Sequence, residues 1–415
     1  MSPDSVQVSV DKKTTTRQGL GLCLSGGGYR AMLFHAGVLT RLNEAGLLSK
    51  LAMVSSVSGG SIAAGLLAVL WPRLGFGEDG IAANFDIYLK KIVAFSQVFL
   101  DVPSALKGVP NPCSSAAREV AAGYERHLFD GSRPMLKELT DRPWFVFCSS
   151  NLSTGSLFRM SRSYIADYRI GLAKDADLPV ATAIAASSAF PPYLSPLRLD
   201  LSRFKWEDDD TLDPTVGPRI VKAGRAVLTD GGVYDNHGIE PALKRCRWLL
   251  VSDAGAPWHE SKSSFGNWLS QLSRVLDTTD NQVRSLRRRD LIARFQAAKD
   301  ADDSGAPGDT TRPEYAATRG VYWSIAPKAN KDMAVPLFKR TAATQPADIG
   351  TSLRFLGARE TVDLVNWGYC VSDQAMRAWY QPGLAAGKAV PLKAGDVVPS
   401  RCAKVSKAMM GLIGM

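Results

Sequence analysis

Ser55-Ser56-Val57-Ser58-Gly59-Gly60-Ser61 joins the apolar run Leu51–Val57 to a stretch of Ala, Gly and Leu over residues 61–71. A serine on a sharp strand-to-helix turn is how a hydrolase exposes a nucleophile. The spacing fits that geometry: Ser56 and Gly60 lie two positions before and after Ser58, where strand and helix backbones cross with little room. Such a turn strains the serine backbone, and the helix behind it aims N-terminal amides at a reacting carbonyl. Ser55, Ser56 and Ser61 compete for the role, but only Ser58 has small residues at both flanking positions and sits at the turn. A helix N-cap serine followed by glycines is the plainer reading of the same residues. The catalytic reading therefore needs partners elsewhere in the chain.

Working outward, residues 19–24 read as a short strand that ends at Ser25-Gly26-Gly27-Gly28-Tyr29-Arg30. Residues 31–45 have helical spacing, with Met32, Leu33, Ala36, Leu39 and Leu42 on one side and Gly46 as the stop. Strand, turn, helix, strand, turn, helix within about seventy residues is the rhythm of a parallel sheet with crossover helices, an α/β fold. Further strands are expected at 144–150, 226–228, 248–252 and 321–325, with 157–160 returning from the first of them as a hairpin. Residues 180–188 read as a small-residue helix, 261–299 and 352–379 as longer helices, and 301–313 as a flexible loop. The organisation expected is a disordered lead-in over 1–18 and a catalytic core over 19–255. The core carries a surface insertion at 200–225, and residues 256–415 complete the same domain.

Two further segments have the chemistry that Ser58 lacks. Thr229-Asp230-Gly231-Gly232-Val233 follows the apolar Ala226-Val227-Leu228, so a carboxylate stands at a strand end before two glycines. A carboxylate within hydrogen-bond reach, and partly desolvated, suffices as the base for a serine. The triple glycine Gly26, Gly27 and Gly28 brings backbone amides close to a ligand at the start of a helix. For acyl transfer that is an oxyanion hole; a tight turn is the plainer alternative. A phosphate-cradling loop is the rival, but neither G-x-x-x-x-G-K-[ST] nor G-x-G-x-x-G is present. Arg30 is suited to a developing negative charge or a phosphate, or to bracing the loop by a salt bridge. Of His35, His127, His237 and His259, only His237 lies near a candidate residue, and its segment reads as a loop before the helix from Glu240. A Ser–Asp dyad is favoured over a triad through His237.

The 415 residues are 45% hydrophobic and 22% charged, with a formal net charge of +10, ordinary for a globular enzyme apart from the basic excess. No zinc-finger spacing or aromatic-basic interleaving accompanies that charge, so an anionic surface or substrate fits better than a nucleic acid. The run Arg284-Ser285-Leu286-Arg287-Arg288-Arg289 reads as a solvated helix face, with contact to anionic lipid as the alternative. Cys23, Cys113, Cys148, Cys246, Cys370 and Cys402 have no CxxC spacing, which suits a reducing compartment. The longest apolar run, residues 62–71, is about half of a membrane span, and residues 1–18 lack a signal-peptide core. A cytoplasmic protein with at most peripheral membrane contact is expected. Residues 92–106 are the apolar candidates for a lid or membrane contact, with an internal core helix as the alternative.

In their order, Ser25 to Arg30, Ser56-Val57-Ser58-Gly59-Gly60 and Asp230-Gly231-Gly232 resemble the patatin-like phospholipases, marked by G-G-G-x-R/K, G-x-S-x-G and D-G-G/A. Residues 186–192, Ala-Ser-Ser-Ala-Phe-Pro-Pro, resemble the family's segment between the last two motifs. The resemblance covers residues 19–255 and extends more weakly over the C-terminal helices. It implies a patatin-like three-layer α/β fold with a central, mainly parallel sheet flanked by helices. It also implies a lipid acyl hydrolase of phospholipase A or lysophospholipase type, with Ser58 as nucleophile and Asp230 as base. Gly26, Gly27, Gly28 and Gly59, with Arg30 beside them, would bind the oxyanion and substrate. The substrate implied is a phospholipid or another acyl ester, and no cofactor or metal is called for. There are two departures: Ser56 stands for the first elbow glycine, and Ala31 follows Arg30 where a glycine is frequent. A soluble esterase or thioesterase with the same dyad, and a non-catalytic lipid- or effector-binding module, are the alternatives.

Overall fold

The computed structural model describes residues 18–100, 116–191, 194–207, 224–258, 260, 267–304, 318–326, 346–393 and 395–397. The first elements follow the sequence rhythm. Strand β1 (Leu20–Leu24) leads into helix α1 (Gly28–Glu44), and β2 (Leu51–Val57) into α2 (Gly59–Leu70). Both helices start earlier than apolar periodicity suggests, because glycines beside the turns already adopt helical hydrogen bonding. Next come α3 (Phe85–Phe95), α4 (Ala116–Gly123), β3 (Trp144–Asn151), β4 (Ser156–Ser161), β5 (Tyr164–Asp167) and β6 (Gly171–Lys174). Helix α5 (Val180–Ser187), β7 (Leu197–Asp200), β8 (Trp206–Glu207), β9 (Arg225–Asp230), α6 (Gly232–Asp235) and α7 (Ile239–Leu243) follow. The C-terminal part supplies β10 (Trp248–Asp253), α8 (Trp268–Ser304), β11 (Arg319–Ser324) and α9 (Ala358–Trp379).

One sheet runs through the molecule in the order β11-β10-β1-β2-β3-β4-β5-β6-β8. From β11 to β3 every pairing is parallel. This is the mainly parallel sheet expected, and it continues from β3 into an antiparallel wing. Alternation along the parallel strands feeds two cores. Leu22, Leu24, Val54 and Leu250 pack with α1, α2 and α9 on one face. Cys23, Met53, Val57, Leu249 and Val251 pack with α7 and Leu291 of α8 on the other. Helices therefore cover both faces, as buried parallel strands require. On the first face α1 and α9 pack backbone to backbone: a Cβ on Gly37 would lie 1.8 Å from the Val365 carbonyl oxygen.

The structure corrects some expectations and decides between the readings left open in others. Residues 301–304 belong to α8 rather than to a loop, and 305–313 lie outside the described residues. The 200–225 insertion begins as sheet: β7 pairs with β9, and β8 with β6. Residues 208–223, like 1–17 of the lead-in, lie outside the described residues. The apolar stretch 92–106 is core as far as it is described. Ile92 and Phe95 are buried, and Phe95 stacks edge-on against Tyr29 at 5.5 Å. Residues 101–106 lie outside the described residues. The arginine run is not a solvated face throughout, since Arg284 and Arg287 turn inward to carboxylates. No helix of the described residues is long and apolar enough to cross a membrane.

Candidate active site

Strand β3 brings the two candidate residues, Ser58 and Asp230, together. Its residue Cys148 pairs with Val57, the last residue of β2. The next residue, Ser149, pairs with Asp230, the last residue of β9. Strand β2 runs parallel to β3 and β9 runs antiparallel, so the two strands arrive from opposite directions and end at neighbouring points on one edge. Ser58 follows one end and Asp230 closes the other. The approach is tight: a Cβ on Gly231 would lie 2.3 Å from the Cys148 carbonyl oxygen and 3.1 Å from a Val57 methyl.

Ser58 is strained as a nucleophile elbow demands, with φ 51° and ψ −121°. A non-glycine residue held there costs roughly 1–3 kcal/mol and persists only when its surroundings enforce it. Here they do. The Ser58 amide donates to Ser187 Oγ at 3.0 Å, and the Ser58 carbonyl accepts from the Ser61 amide at 2.8 Å. Gly60 permits the crossing, since a Cβ there would lie 2.4 Å from the Leu24 carbonyl oxygen. Serine serves in place of the first elbow glycine because its hydroxyl has work to do. Ser56 Oγ donates to the Val146 carbonyl at 3.3 Å and accepts from Ser61 Oγ at 2.9 Å. Ser61 Oγ is in turn 2.8 Å from Ser187 Oγ.

Asp230 is buried, and burial pushes its pKa from 3.8 up to about 7 against the opposing pull of hydrogen bonds from Ser58 and Gly232. The Gly232 amide holds Oδ1 at 2.8 Å. Oδ2 completes no well-aligned bond, although the Ser58 hydroxyl is near enough to stabilise the carboxylate. Catalytic hydrogen bonds commonly tighten only once substrate is bound. The Asp230 backbone is pinned by its amide to the Ala189 carbonyl at 2.9 Å and by its carbonyl to Ser150 Oγ at 2.8 Å.

The glycine loop closes the site from the β1 side. Gly27 and Gly28 have φ of 140° and 58°, open to glycine and strained for other residues. A Cβ on Gly59 would meet the Gly28 carbonyl oxygen at 2.0 Å and its nitrogen at 2.9 Å, so the first turns of α1 and α2 converge. Among the described residues, the amides of Gly27, Gly28 and Gly59 meet no protein acceptor. The Gly26 amide is different: it donates to the Asn236 carbonyl at 3.0 Å and so anchors the loop. Gly26 still borders Ser58, because a Cβ there would lie 3.1 Å from Ser58 Cβ and 2.4 Å from Asn236 Oδ1.

Arg30 braces the loop by carbonyls, not by a salt bridge. Nε donates to Ala254 O at 3.1 Å and Nη1 to Ile349 O at 2.5 Å. Nη2 is buried beside Gly27 without a partner. Burial, with Arg284 nearby, lowers the guanidinium pKa to about 10. His237 does not complete a triad. It is buried with Nε2 3.4 Å from Asp253 Oδ2, and Asp253 also accepts from Arg284 at 3.3 Å.

Three supporting residues escape a reading by motif. Ser187 lies within the segment resembling the family, but its link to Ser58 is a tertiary contact. His35 supports the glycine loop: its ring lies 2.9 Å from the Ser25 carbonyl and 3.0 Å from Ser252 Oγ. Burial lowers its pKa to about 4, so the ring stays neutral as a brace. Asn236 fills the space opposite both Gly26 and Gly232. Only the helical i, i+4 relation of its neighbour Gly232 hints at this in the sequence.

A family profile described as patatin-like phospholipase matches residues 22–243. The sequence matches none of the curated proteins with which it was compared. In structure the chain is similar to human GIVD cytosolic phospholipase A2, at 14% identity and a TM-score of 0.50, over 87% of this chain and 61% of that one. It thus spans about three fifths of that phospholipase, and at this identity the likeness concerns the fold. VipD from Legionella pneumophila aligns at 13% identity and a TM-score of 0.34, over 88% of this chain and 67% of that one.

Proposed function

The chain belongs to the patatin-like phospholipase family, and from that premise we propose that it hydrolyses carboxylic esters of lipids through a Ser58–Asp230 dyad and an acyl-enzyme. Asp230 takes the proton of Ser58, whose oxygen attacks the ester carbonyl. The negative charge that develops on the carbonyl oxygen is met by the amides of Gly27 and Gly28, with Gly59 at the adjoining helix start. Each well-placed donor of this kind is worth about 3–4 kcal/mol in the transition state. The tetrahedral intermediate collapses as protonated Asp230 gives its proton to the departing alcohol or lysophospholipid. Asp230 then deprotonates a water that attacks the acyl-enzyme, and the fatty acid leaves as Ser58 recovers its proton.

The observation that carries this reading is the convergence of Val57 and Asp230 on consecutive residues of β3, together with the raised pKa of the carboxylate. A base near neutrality transfers protons most effectively at physiological pH. The test is a set of purified variants assayed on a short-chain ester and on phospholipid, with fluorophosphonate labelling in parallel. Ser58→Ala is expected to lose labelling and about 10⁴-fold in kcat. Asp230→Asn should lose comparable turnover. Full activity in either variant refutes the dyad.

A further inference from the structure

Among the described residues, exposed apolar side chains line up at the start of α8, not on the segment that hydropathy favours. Trp268 is 74% exposed, Leu272 46%, Val275 59% and Leu276 52%. Their spacing of four, three and one residues puts them along one stripe of a helix. A contiguous patch of this kind on a surface marks an interaction site. Before it, Trp258 is also exposed and carries the Arg274 guanidinium 3.6 Å above its ring.

The stripe is attached to the site described above. Arg284 binds Asp253 at 3.3 Å and the Ala256 carbonyl at 2.9 Å. Arg287 reaches Glu240 at 3.5 Å and lies over the Tyr234 ring at 5.4 Å. Those contacts clamp the middle of α8 onto the end of β10, onto α7 and onto α6, which begins two residues after Asp230. Val233 of α6 is itself 52% exposed. From Asp280 back to Trp268 the helix extends about 18 Å at 1.5 Å per residue, and the described residues leave its apolar stripe uncovered.

We propose that this face of α8 docks the protein on an anionic lipid surface and so presents the Ser58 site to its substrate. The choice of occupant rests on the lipid-hydrolase reading given above. Two features favour lipid over a second copy of the chain. Trp with Leu and Val on one face and arginines on the same helix is the composition of an interfacial helix. Arg284 and Arg287 are spent on inward carboxylates, which leaves Arg274, Arg288 and Arg289 of residues 268–289 for an anionic surface, within a chain of net charge +10. A coiled-coil seam, by contrast, needs three or more heptads, and the same spacing continues into Thr279 and Gln282.

The test uses the full chain with Ser58→Ala, so that lipid is not consumed, in co-sedimentation with vesicles of phosphatidylglycerol mixed with phosphatidylcholine and of phosphatidylcholine alone. The expected result is preference for the anionic vesicles, weakened about tenfold or more by Trp268→Asp with Leu272→Asp. Val275→Ser with Leu276→Ser is the milder second pair and should weaken it in the same direction. In the background that keeps Ser58, both pairs should leave turnover of p-nitrophenyl butyrate within about twofold, while vesicle hydrolysis falls with binding. Vesicle binding unchanged by both pairs overturns the proposal. So does a dimer that both pairs convert to monomer without altering vesicle binding, which assigns the face to a second copy. The two readings fail separately. Binding through α8 without hydrolysis of either ester sinks the lipid-hydrolase assignment, whereas undiminished vesicle hydrolysis in both pairs sinks only the docking face.

Discussion

The backbone amide of Ser58 donates to the side-chain oxygen of Ser187 at 3.0 Å. Ser187 also donates from Oγ to the Cys148 carbonyl at 2.6 Å, and its own carbonyl accepts from the Gly231 amide at 3.1 Å. One residue at the end of α5 therefore holds the turn at Ser58, the strand between Ser58 and Asp230 and the loop behind Asp230. Strain at Ser58 is maintained by this three-way anchor.

Ser187→Ala leaves the Ser58 amide and the Cys148 carbonyl short of a partner in a buried place. The expected cost is about 1–3 kcal/mol of stability. With the elbow loosened, kcat on a soluble ester should fall about tenfold while KM changes little. Thermal unfolding and steady-state kinetics check both, and unchanged kcat removes Ser187 from the positioning machinery.

The pH dependence of activity follows from burial of Asp230. Its pKa is raised to about 7, and in the proposed dyad only the ionised form accepts the Ser58 proton. The value of kcat/KM should therefore climb tenfold per pH step on the acid side and level off above about 7. A profile already flat at pH 5 contradicts the assignment of Asp230 as base.

The same burial has a stability consequence of opposite usefulness. A carboxyl whose folded pKa exceeds its unfolded value of 3.8 favours the native state most at low pH. That contribution declines between about 4 and 7 as the ionised form takes over. Asp230→Asn carries no such cost and keeps an oxygen for the Gly232 amide. Denaturant unfolding at pH 8 should find the variant more stable than the parent by about 4 kcal/mol, the gap closing as pH approaches 4. A variant less stable than the parent at pH 8 shows that the carboxylate is not a burdened base.

The elbow positions differ in what they tolerate. Ser56→Gly restores the usual small residue and loses the bonds to Val146 and Ser61, so about 1 kcal/mol of stability and little activity should go. Gly60→Ala drives a methyl to 2.4 Å from a backbone oxygen that cannot move aside. Soluble yield and kcat should both collapse in the second variant and survive in the first. Equal behaviour of the two contradicts the close crossing of β2 and α2.

Much of this is legible in the sequence alone. Leu51–Val57 as a strand, the turn at Ser58 and the glycines at 26–28 are local patterns, since small residues and apolar runs report their own backbone geometry. What escaped was long-range or depended on which face is covered. Phe95 and Trp268 contribute similar apolar character to the sequence, but Phe95 of α3 is buried against Tyr29 whereas Trp268 at the start of α8 is exposed. Hydropathy counts side chains and is blind to that difference. The arginines misled for the same reason. Arg284 reads as solvated until β10 brings Asp253 beneath it, and no spacing rule links residues on a distant strand and helix.

Arg284 offers the sharpest check on that buried charge cluster. Asp253 is buried, and Arg284 and His237 hold its carboxyl well below the ordinary range despite the opposing cost of burial. Tyr322 adds a hydrogen bond to Oδ2 at 2.5 Å. A depressed folded pKa contributes stability above the unfolded value near 4, and that contribution is lost as pH falls toward the folded value. Removing the guanidinium strands the carboxylate in a dry place. Arg284→Met should therefore cost about 3–5 kcal/mol at neutral pH, and Arg284→Met with Asp253→Asn should recover part of it. Because Arg284 is also a clamp between α8 and the loop beside Arg30, the single variant should lose hydrolysis of soluble ester along with stability. Chemical denaturation of the two variants, read beside their turnover, tests this. Equal stability of the single variant and the parent means the ion pair sustains neither the fold nor the site.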